Sequence, residues 1–426
     1  MRVVVIGGGV IGMASAYELV KQGHEVTVLE AGTVGGGASR GTAGWICPAD
    51  SGPVAAPGMV LQGLRWMLHA DSPLRIRPRA SLPYLGFLLG MAQRCNADDF
   101  RAGLRANIAL FGDSMETFDA WQQEGVAFEM QADGLLIALL GRDNYEHHLH
   151  DLDIVRDAGL DPVALEGDAV REHEPALSDR VHGGIFFPHE RHIRSETLAP
   201  GLAAAARARG VEVRERTALE GVVRDGRRVT ALRTSDGRIP ADAVVLAAGV
   251  WTERLARLFG VRLPIEPGKG YSVEYAQAPV RLRSATSFTE RKVVGTPLGN
   301  ALRLAGTMEF AGYDPTVDPV RAAAILRGPA EFLRDWTAPE PDAPAWAGFR
   351  PMTPDSLSII GRLGAHDNAY VASGHGMFGI TMAPATARAV VTMVETGRVP
   401  AHLAPFAPDR FGARDTVARL RRLRAR

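Results

Sequence analysis

Three groups of residues in this chain have the types and spacing to do chemistry. The first is Gly7-x-Gly9-x-x-Gly12, with Glu30 eighteen residues beyond Gly12. In such a pattern the first glycine permits a tight turn, the second lets backbone approach a pyrophosphate, and the third lets a helix pack closely on a strand. The start of that helix offers free N–H groups to phosphates, and the acid can hydrogen-bond both hydroxyls of a ribose. The second group is Gly374-His375-Gly376-Met377-Phe378-Gly379, which holds more glycine than an ordinary turn needs. It lies between an apolar run and a helical one, so a helix N-terminus with its partial positive charge opens there. The third is Gly348-Phe349-Arg350-Pro351-Met352-Thr353-Pro354-Asp355. It reads as a polar turn stiffened by two prolines around one arginine, whose planar fork suits a carboxylate.

These residues need elements to hold them. Residues 3–6 read as a buried parallel strand, 13–22 as a helix and 25–29 as a second strand. The first group therefore sits in a strand–turn–helix–strand unit and predicts dinucleotide binding. The glycine-rich stretch from Gly35 to Gly44 cannot build a core, but it lets backbone approach a ligand closely. Residues 59–124 are mostly helical, with breaks at Pro73, Pro78 and Pro83, and 128–140 read as strand–turn–strand around Gly134. Helices are expected over 152–158, 196–209 and 322–334, and a hairpin turning at Asp225-Gly226. Residues 241–249 form a short buried strand ending in a glycine turn, and 265–310 alternate like an antiparallel meander.

A chain of 426 residues exceeds one compact core, which favours two domains. Its 46% hydrophobic and 23% charged residues suit a globular protein, and zero net charge argues against nucleic acid as partner. Cys47 and Cys95 are the only cysteines, which excludes a disulfide framework and suits a reducing compartment. No metal-ligand spacing occurs, and His147-His148-x-His150 reads as a solvated face. The first motif begins at residue 3, leaving no room for a signal peptide, and no apolar run reaches membrane-spanning length. A cytoplasmic location is expected. The basic tail 414–426 offers the alternative of peripheral contact with the inner face of the membrane. Lys21, Lys269 and Lys292 are the only lysines among 48 lysines and arginines, so a single arginine is a weak signal and a surviving lysine a stronger one.

Jointly, five motifs resemble the D-amino-acid oxidase superfamily of FAD-dependent oxidoreductases. They are Gly7-x-Gly9-x-x-Gly12…Glu30, Ala38-Ser39…Ala43-Gly44, Val244-Val-Leu-Ala-Ala248-Gly249-Val-Trp251, the segment around Arg350, and Gly374 to Gly379. Ala55-Ala-Pro-Gly58…Leu64-Arg-Trp66, Lys269-Gly-Tyr271-Ser272 and Gly374-His-Gly376 are closest to its bacterial D-amino-acid dehydrogenase branch. Two places depart from that branch: Trp45, where a smaller polar residue is usual, and Pro188-His-Glu-Arg191-His192-Ile. The resemblance implies an α/β fold, a Rossmann-like FAD-binding domain with an inserted α+β substrate-binding domain containing an antiparallel sheet. The expected boundaries are 1–58, 151–252 and 346–413 for the first and 59–150 and 253–345 for the second.

The resemblance further implies one FAD. Its nucleotide half would lie on Gly7, Gly9, Val10, Ile11, Gly12, Glu30 and Ala31, then Ala38 and Ser39. Ala43, Gly44, Trp45 and Ile46 would follow, with Leu219, Ala248, Gly249 and Trp251 across from them. The ring would meet Arg350, Gly374, His375, Gly376, Met377, Phe378, Gly379, Ile380 and Thr381, where a helix N-terminus would stabilise negative charge on the reduced flavin. Arg350 is placed on the substrate carboxylate, Tyr271 adds a hydroxyl to it or is a half-buried strand residue, and His375 contacts flavin or substrate or is held by backbone bonds. Lys269 pairs with the flavin or an acid, or lies exposed; Arg191 and His192 are candidates for specificity; Trp45 walls the pocket or packs in the core. The implied reaction is hydride transfer from the α-carbon of a D-amino acid to flavin N5, then hydrolysis of the imino acid to a 2-oxo acid and ammonia, with no catalytic base. A secondary amino acid of hydroxyproline, sarcosine or opine type, and a non-catalytic flavin-binding subunit, remain as alternatives. The electron acceptor, whether oxygen, a quinone or a respiratory carrier, stays open.

Overall fold

A computed structural model describes residues 1–150 and 152–411 of the chain; the basic tail 414–426 lies outside the described residues. Val3, Val4, Val5 and Ile6 are almost fully buried on both faces, as a central parallel strand requires. That strand, Arg2–Ile6, sits between Glu25–Leu29 and Ala243–Leu246 in a six-stranded sheet. Glu212–Arg214 extends it on one side, Ala369–Ser373 and Ile359–Arg362 on the other, and only the last pairing is antiparallel. The helices Val10–Lys21, Ser195–Ala208 and Gly379–Thr396 cover one face. The other face packs on the three-stranded antiparallel sheet of Leu219–Asp225, Arg228–Thr234 and Gly237–Pro240.

A second, nine-stranded sheet stands beside the first. Its order runs from the edge strand Trp346–Met352 through Glu266–Tyr275, Ala301–Phe310, Val293–Leu298, Ala285–Phe288, Leu135–Leu139 and Gly183–Phe187 to Val163–Glu166. Leu74–Ile76 pairs with the end of Ala301–Phe310. The three short strands Trp45–Ile46, Arg191–Ile193 and Met130–Gln131 form a small sheet of their own.

Residues 128–140 are strand–turn–strand, with Gly134 turning the chain at φ +76°; Met130–Gln131 joins the small sheet and Leu135–Leu139 the large one. Pairing corrects the sequence reading in two places. Residues 346–352 are not a turn but an edge strand, because Glu266–Pro267-Gly268 hydrogen-bond along Arg350-Pro351-Met352. The expected domain boundaries also differ from the sheets. Val163–Glu166, Gly183–Phe187 and Trp346–Met352 belong to the nine-stranded sheet. The helices Ala97–Phe111 and Ser114–Gln123 instead bury Leu110, Phe118 and Trp121 against the helical face of the six-stranded sheet, where Trp121 Nε1 donates to Glu18 at 2.7 Å. Among the described residues no helix is long and apolar enough to cross a membrane.

Candidate active site

The two sheets face each other across one elongated cavity of about 1620 Å³. Its nucleotide side is built by omitting side chains. Gly7 has φ +114°, and a Cβ there would fall 2.4 Å from the Ala247 carbonyl oxygen; one on Gly12 would fall 1.8 Å from the Gly7 oxygen. At Gly9 a Cβ would meet only Ser39 Oγ, at 3.4 Å, so that turn is open toward the cavity. The Ser39 hydroxyl accepts the Val10 N–H at 3.0 Å, at the start of the helix that points its N-terminus at the cavity. Glu30 is aimed by two backbone donors, Gly8 N–H to Oε2 and Gly32 N–H to Oε1, each at 2.7 Å. Ile11, Ala31, Ala38, Leu219, Ala248, Gly249 and Trp251 line the same lobe. A glycine cradle, a helix N-terminus and a fixed carboxylate fit a bound dinucleotide in that order.

Four expected contact residues do not line the cavity: Gly12, Ile46, Gly374 and Thr381. Each is scaffold instead. Gly12 permits the close helix–strand crossing, and Ile46 is buried in the core. Gly374, at φ +73°, turns where a Cβ would lie 2.8 Å from Thr353 Cγ2. Thr381 Oγ1 donates to the Trp45 carbonyl at 3.1 Å and accepts the Cys47 N–H at 3.3 Å, which splices the helix start to the strand beneath Trp45. Ala43, Gly44, Trp45 and His375 to Ile380 do line the cavity. Trp45 is fixed as a wall by its Nε1 donation to Thr296 Oγ1 at 2.9 Å.

The far wall is the nine-stranded sheet. Arg350 reaches from its edge strand over Gly270, where a Cβ would fall 2.1 Å from Nη1. Its Nη1 donates to the Thr307 carbonyl at 2.7 Å. Thr307 holds φ +63°, a conformation uncommon outside glycine, and so turns that carbonyl toward the arginine. Arg350 has no carboxylate partner among the described residues, and burial alone lowers its pKa to about 10. It remains cationic at neutral pH, deep in a cavity, with most of its donors unmatched. His375 also faces the cavity. Burial pulls its pKa down to about 3, so its ring is neutral, and Nε2 is engaged by Thr386 Oγ1 at 3.0 Å.

Tyr271 corrects the sequence reading. It borders the cavity, but its hydroxyl points through the sheet and donates to Glu309 Oε2 at 2.6 Å. Burial and that carboxylate both raise its pKa. The reason is strand alternation: Gly268 and Gly270 face Arg350, which puts Lys269 and Tyr271 on the opposite face. Lys269 is fully buried, 3.4 Å from the same Glu309 oxygen, and it donates to the Thr316 carbonyl at 2.7 Å. Arg77 Nε lies 3.0 Å from the other Glu309 oxygen. The register shift between Lys269 and Tyr271 falls at this cluster, so Glu309 pins the bulge that presents Thr307. The specificity candidates also lie outside the cavity: Asp119 binds Arg191, and His192 is fully buried beside Trp45 in the small sheet.

Sequence reasoning missed Thr307, Glu309, Gly270 and Trp346. Trp346 lies against Gly41 and Gly348, where added Cβ atoms would fall 2.4 and 2.0 Å from its ring. The glycines at 268, 270, 306 and 348 were the available signal, since sheets seldom place so many side by side without something to accommodate.

Residues 2–393 match the family model described as FAD dependent oxidoreductase, DAO. A D-amino acid dehydrogenase of Cereibacter sphaeroides is 33% identical over 98% of this chain and 97% of its own length. One from Paramagnetospirillum magneticum is 36% identical over 92% of this chain and 95% of its own. The crystal structure of glycine oxidase from Geobacillus kaustophilus superposes with a TM-score of 0.77 at 25% identity, covering 96% of this chain and 98% of that one.

Proposed function

Because the chain belongs to the DAO family of FAD-dependent oxidoreductases, we propose that it oxidatively deaminates a D-amino acid whose α-carboxylate is held by Arg350. FAD is its cofactor and the chain is an amino-acid oxidoreductase; the stereochemistry and the roles of single residues are the reading advanced here. One observation carries it: a half-buried arginine that faces the cavity without a carboxylate partner among the described residues. A substrate carboxylate would meet its guanidinium with two parallel hydrogen bonds and relieve an unpaired buried charge. The D configuration is supported by the names of the relatives.

In this reading the turn at Gly7 and Gly9 and the N-terminus of the helix that begins at Val10 hold the pyrophosphate, and Glu30 holds the ribose. Residues 43–45 and 375–380 hold the ring. When bound, FAD supplies the two-electron acceptor for oxidation of a carbon–nitrogen bond. Arg350 fixes the α-carbon, and Trp45 and Trp346 restrict where the remainder of the substrate can turn. The neutral amine drives departure of the α-hydrogen with its electron pair, and water then converts the imino acid to a 2-oxo acid and ammonia. His375 contributes shape and a neutral hydrogen-bonding edge, since a ring with a pKa of about 3 stays unprotonated at working pH.

Arg350→Ala tests the reading. The variant should retain FAD, while its efficiency in anaerobic flavin reduction by the best D-amino acid falls roughly 30- to several-thousand-fold. Arg350→Lys should fall between the two, because it keeps the charge and loses the fork. Reduction of Arg350→Ala at the rate of the unmodified protein would remove the carboxylate from this site.

A further inference from the structure

The cavity extends past Arg350 into a lobe that neither the dinucleotide nor the carboxylate anchor uses. The sheet register locates it. Gly270 and Thr307 fall in one row, and Lys292, the left-handed residue just before the strand Val293–Leu298, lies at its continuation, because Tyr271 and Val293 both stand opposite Gly306. With strands about 4.8 Å apart, Lys292 starts roughly 10 Å from the floor beneath the Arg350 guanidinium. Lys292 lines the cavity, and so does Asp50, which lies beyond Trp45 and Cys47 on the segment that crosses the same strand. The two charges act on each other, yet no N···O distance between them is 4 Å or less, and neither group makes a hydrogen bond. Ile137, Leu152 and Val294 line the space around them.

An ammonium and a carboxylate held apart across a partly apolar lobe form an incomplete pair. Both side chains stand open to the cavity, and the protein around them disfavours both ionised forms: it lowers the Lys292 pKa and raises that of Asp50 to about 6. The other polar neighbours are partly committed. Glu290 Oε1 accepts the Leu140 and Gly141 N–H groups and the Asn144 amide, while its Oε2 and that of Glu190 are buried without a partner, and His148 Nδ1 lies 2.8 Å from the Asn144 carbonyl. The group that completes the pair must accept from the ammonium and donate to the carboxylate at once. A hydroxyl or a carboxamide does both; a methyl or a phenyl ring does neither.

We infer that the lobe between Asp50 and Lys292 is the side-chain subsite, and that it selects substrates whose side chain ends in a hydroxyl or carboxamide. This rests on the reading of Arg350 as the α-carboxylate anchor. A substrate held there can extend along the row from Gly270 toward Lys292. An isostere without the polar group would exclude solvent from both charges while pairing neither, and such sites reject the wrong analogue more strongly than an apolar pocket can.

The test compares matched pairs in anaerobic flavin reduction by the holoenzyme: D-serine against D-2-aminobutyrate, D-asparagine against D-leucine, and hydroxylated against plain D-proline. The polar member of at least one pair should have a half-saturation at least ~10-fold lower. Lys292→Met and, independently, Asp50→Asn should bring that ratio to within about 2-fold; the ratio, not the rate, is the readout. A ratio near one in the unmodified protein, or one that survives both substitutions, overturns the inference. Titration of the flavin spectrum with 3-hydroxypropanoate and butanoate reads the lobe without turnover. If no amine reduces the flavin but the two carboxylates differ by about 10-fold or more, the proposed reaction fails and the subsite stands. Equal affinities overturn the subsite alone, and no binding of either overturns the carboxylate anchor and the subsite with it.

Discussion

On the nucleotide side of the cavity Gly7, Gly9 and Gly12 act by having no side chain, whereas on the far side Lys269 and Glu309 bury charge and Arg350 and Lys292 turn charge to the cavity. The first wall is a matter of backbone distance: contacts of 1.8 and 2.4 Å to an added Cβ leave no room for a methyl group. The second is a matter of compensation: Glu309 answers Lys269, Tyr271 and Arg77, while Arg350 and Lys292 face the cavity without an ion pair among the described residues. A dinucleotide has one shape, so a rigid cradle suits it. A variable substrate is better met by charges whose partners arrive with it.

If the contrast is right, each wall should break in its own way. The largest effect is expected from Gly12→Ala. Its methyl would collide with the Gly7 backbone oxygen, and overpacking of that kind typically costs about 1–3 kcal/mol or more. FAD binding, followed by flavin fluorescence, should be lost or weakened at least ~100-fold, the equivalent of about 2.7 kcal/mol. Unchanged FAD affinity would show that the helix–strand crossing can give way.

Glu309→Gln alters the other wall without changing volume. It leaves Lys269 and Arg77 facing a neutral amide, and breaking a buried pair costs about 3–5 kcal/mol when one partner is removed outright. A lower melting temperature is expected, with FAD affinity within about 3-fold of the unmodified protein (under ~0.7 kcal/mol) and a raised half-saturation for substrate. Loss of FAD with unchanged half-saturation would place Glu309 on the wrong wall.

The smallest effect is in pH. A carboxylate binds the protonated Arg350, whose pKa in the free site is lowered to about 10. Affinity for a non-oxidisable carboxylate should stay level below that value, halve near it, and fall about tenfold per unit above it. Spectral titration of the flavin between pH 8 and 11 would show this, and a level profile to pH 11 would separate the guanidinium from the ligand.

The contrast also explains what could be read from the sequence. Gly7 to Glu30 was legible because its geometry is local: strand, turn, helix and acid follow one another within thirty residues. The packing role of Gly12 was legible with it, but the scaffold role of Thr381 was not, since a helical position does not reveal whether it faces the ligand or the strand behind. On the far wall Arg350 was found by its motif, but its neighbours depend on pairing between strands distant in the chain. One residue of register decides whether Tyr271 faces a substrate or Glu309, and periodicity cannot fix register. Thr307 carried no signal at all, because its positive φ follows from the bulge and not from its residue type.

One backbone bond crosses between the walls: the Gly376 N–H, at the mouth of the last long helix, donates to the Pro351 carbonyl at 3.1 Å. Gly376 belongs to the segment that closes the nucleotide side, and Pro351 follows the arginine on the edge strand. The separation between electron acceptor and substrate is therefore not the sum of two long and independent chains of packing. It is referenced at this splice, one residue from Arg350 on one side and one from His375 on the other, and at the bonds from Trp45 and Ala43 to Thr296. Errors accumulated elsewhere in either sheet do not add up at the point of reaction. Drift in outer strands, such as Val163–Glu166 or Glu212–Arg214, would then leave the alignment at the centre within the slack of these few hydrogen bonds.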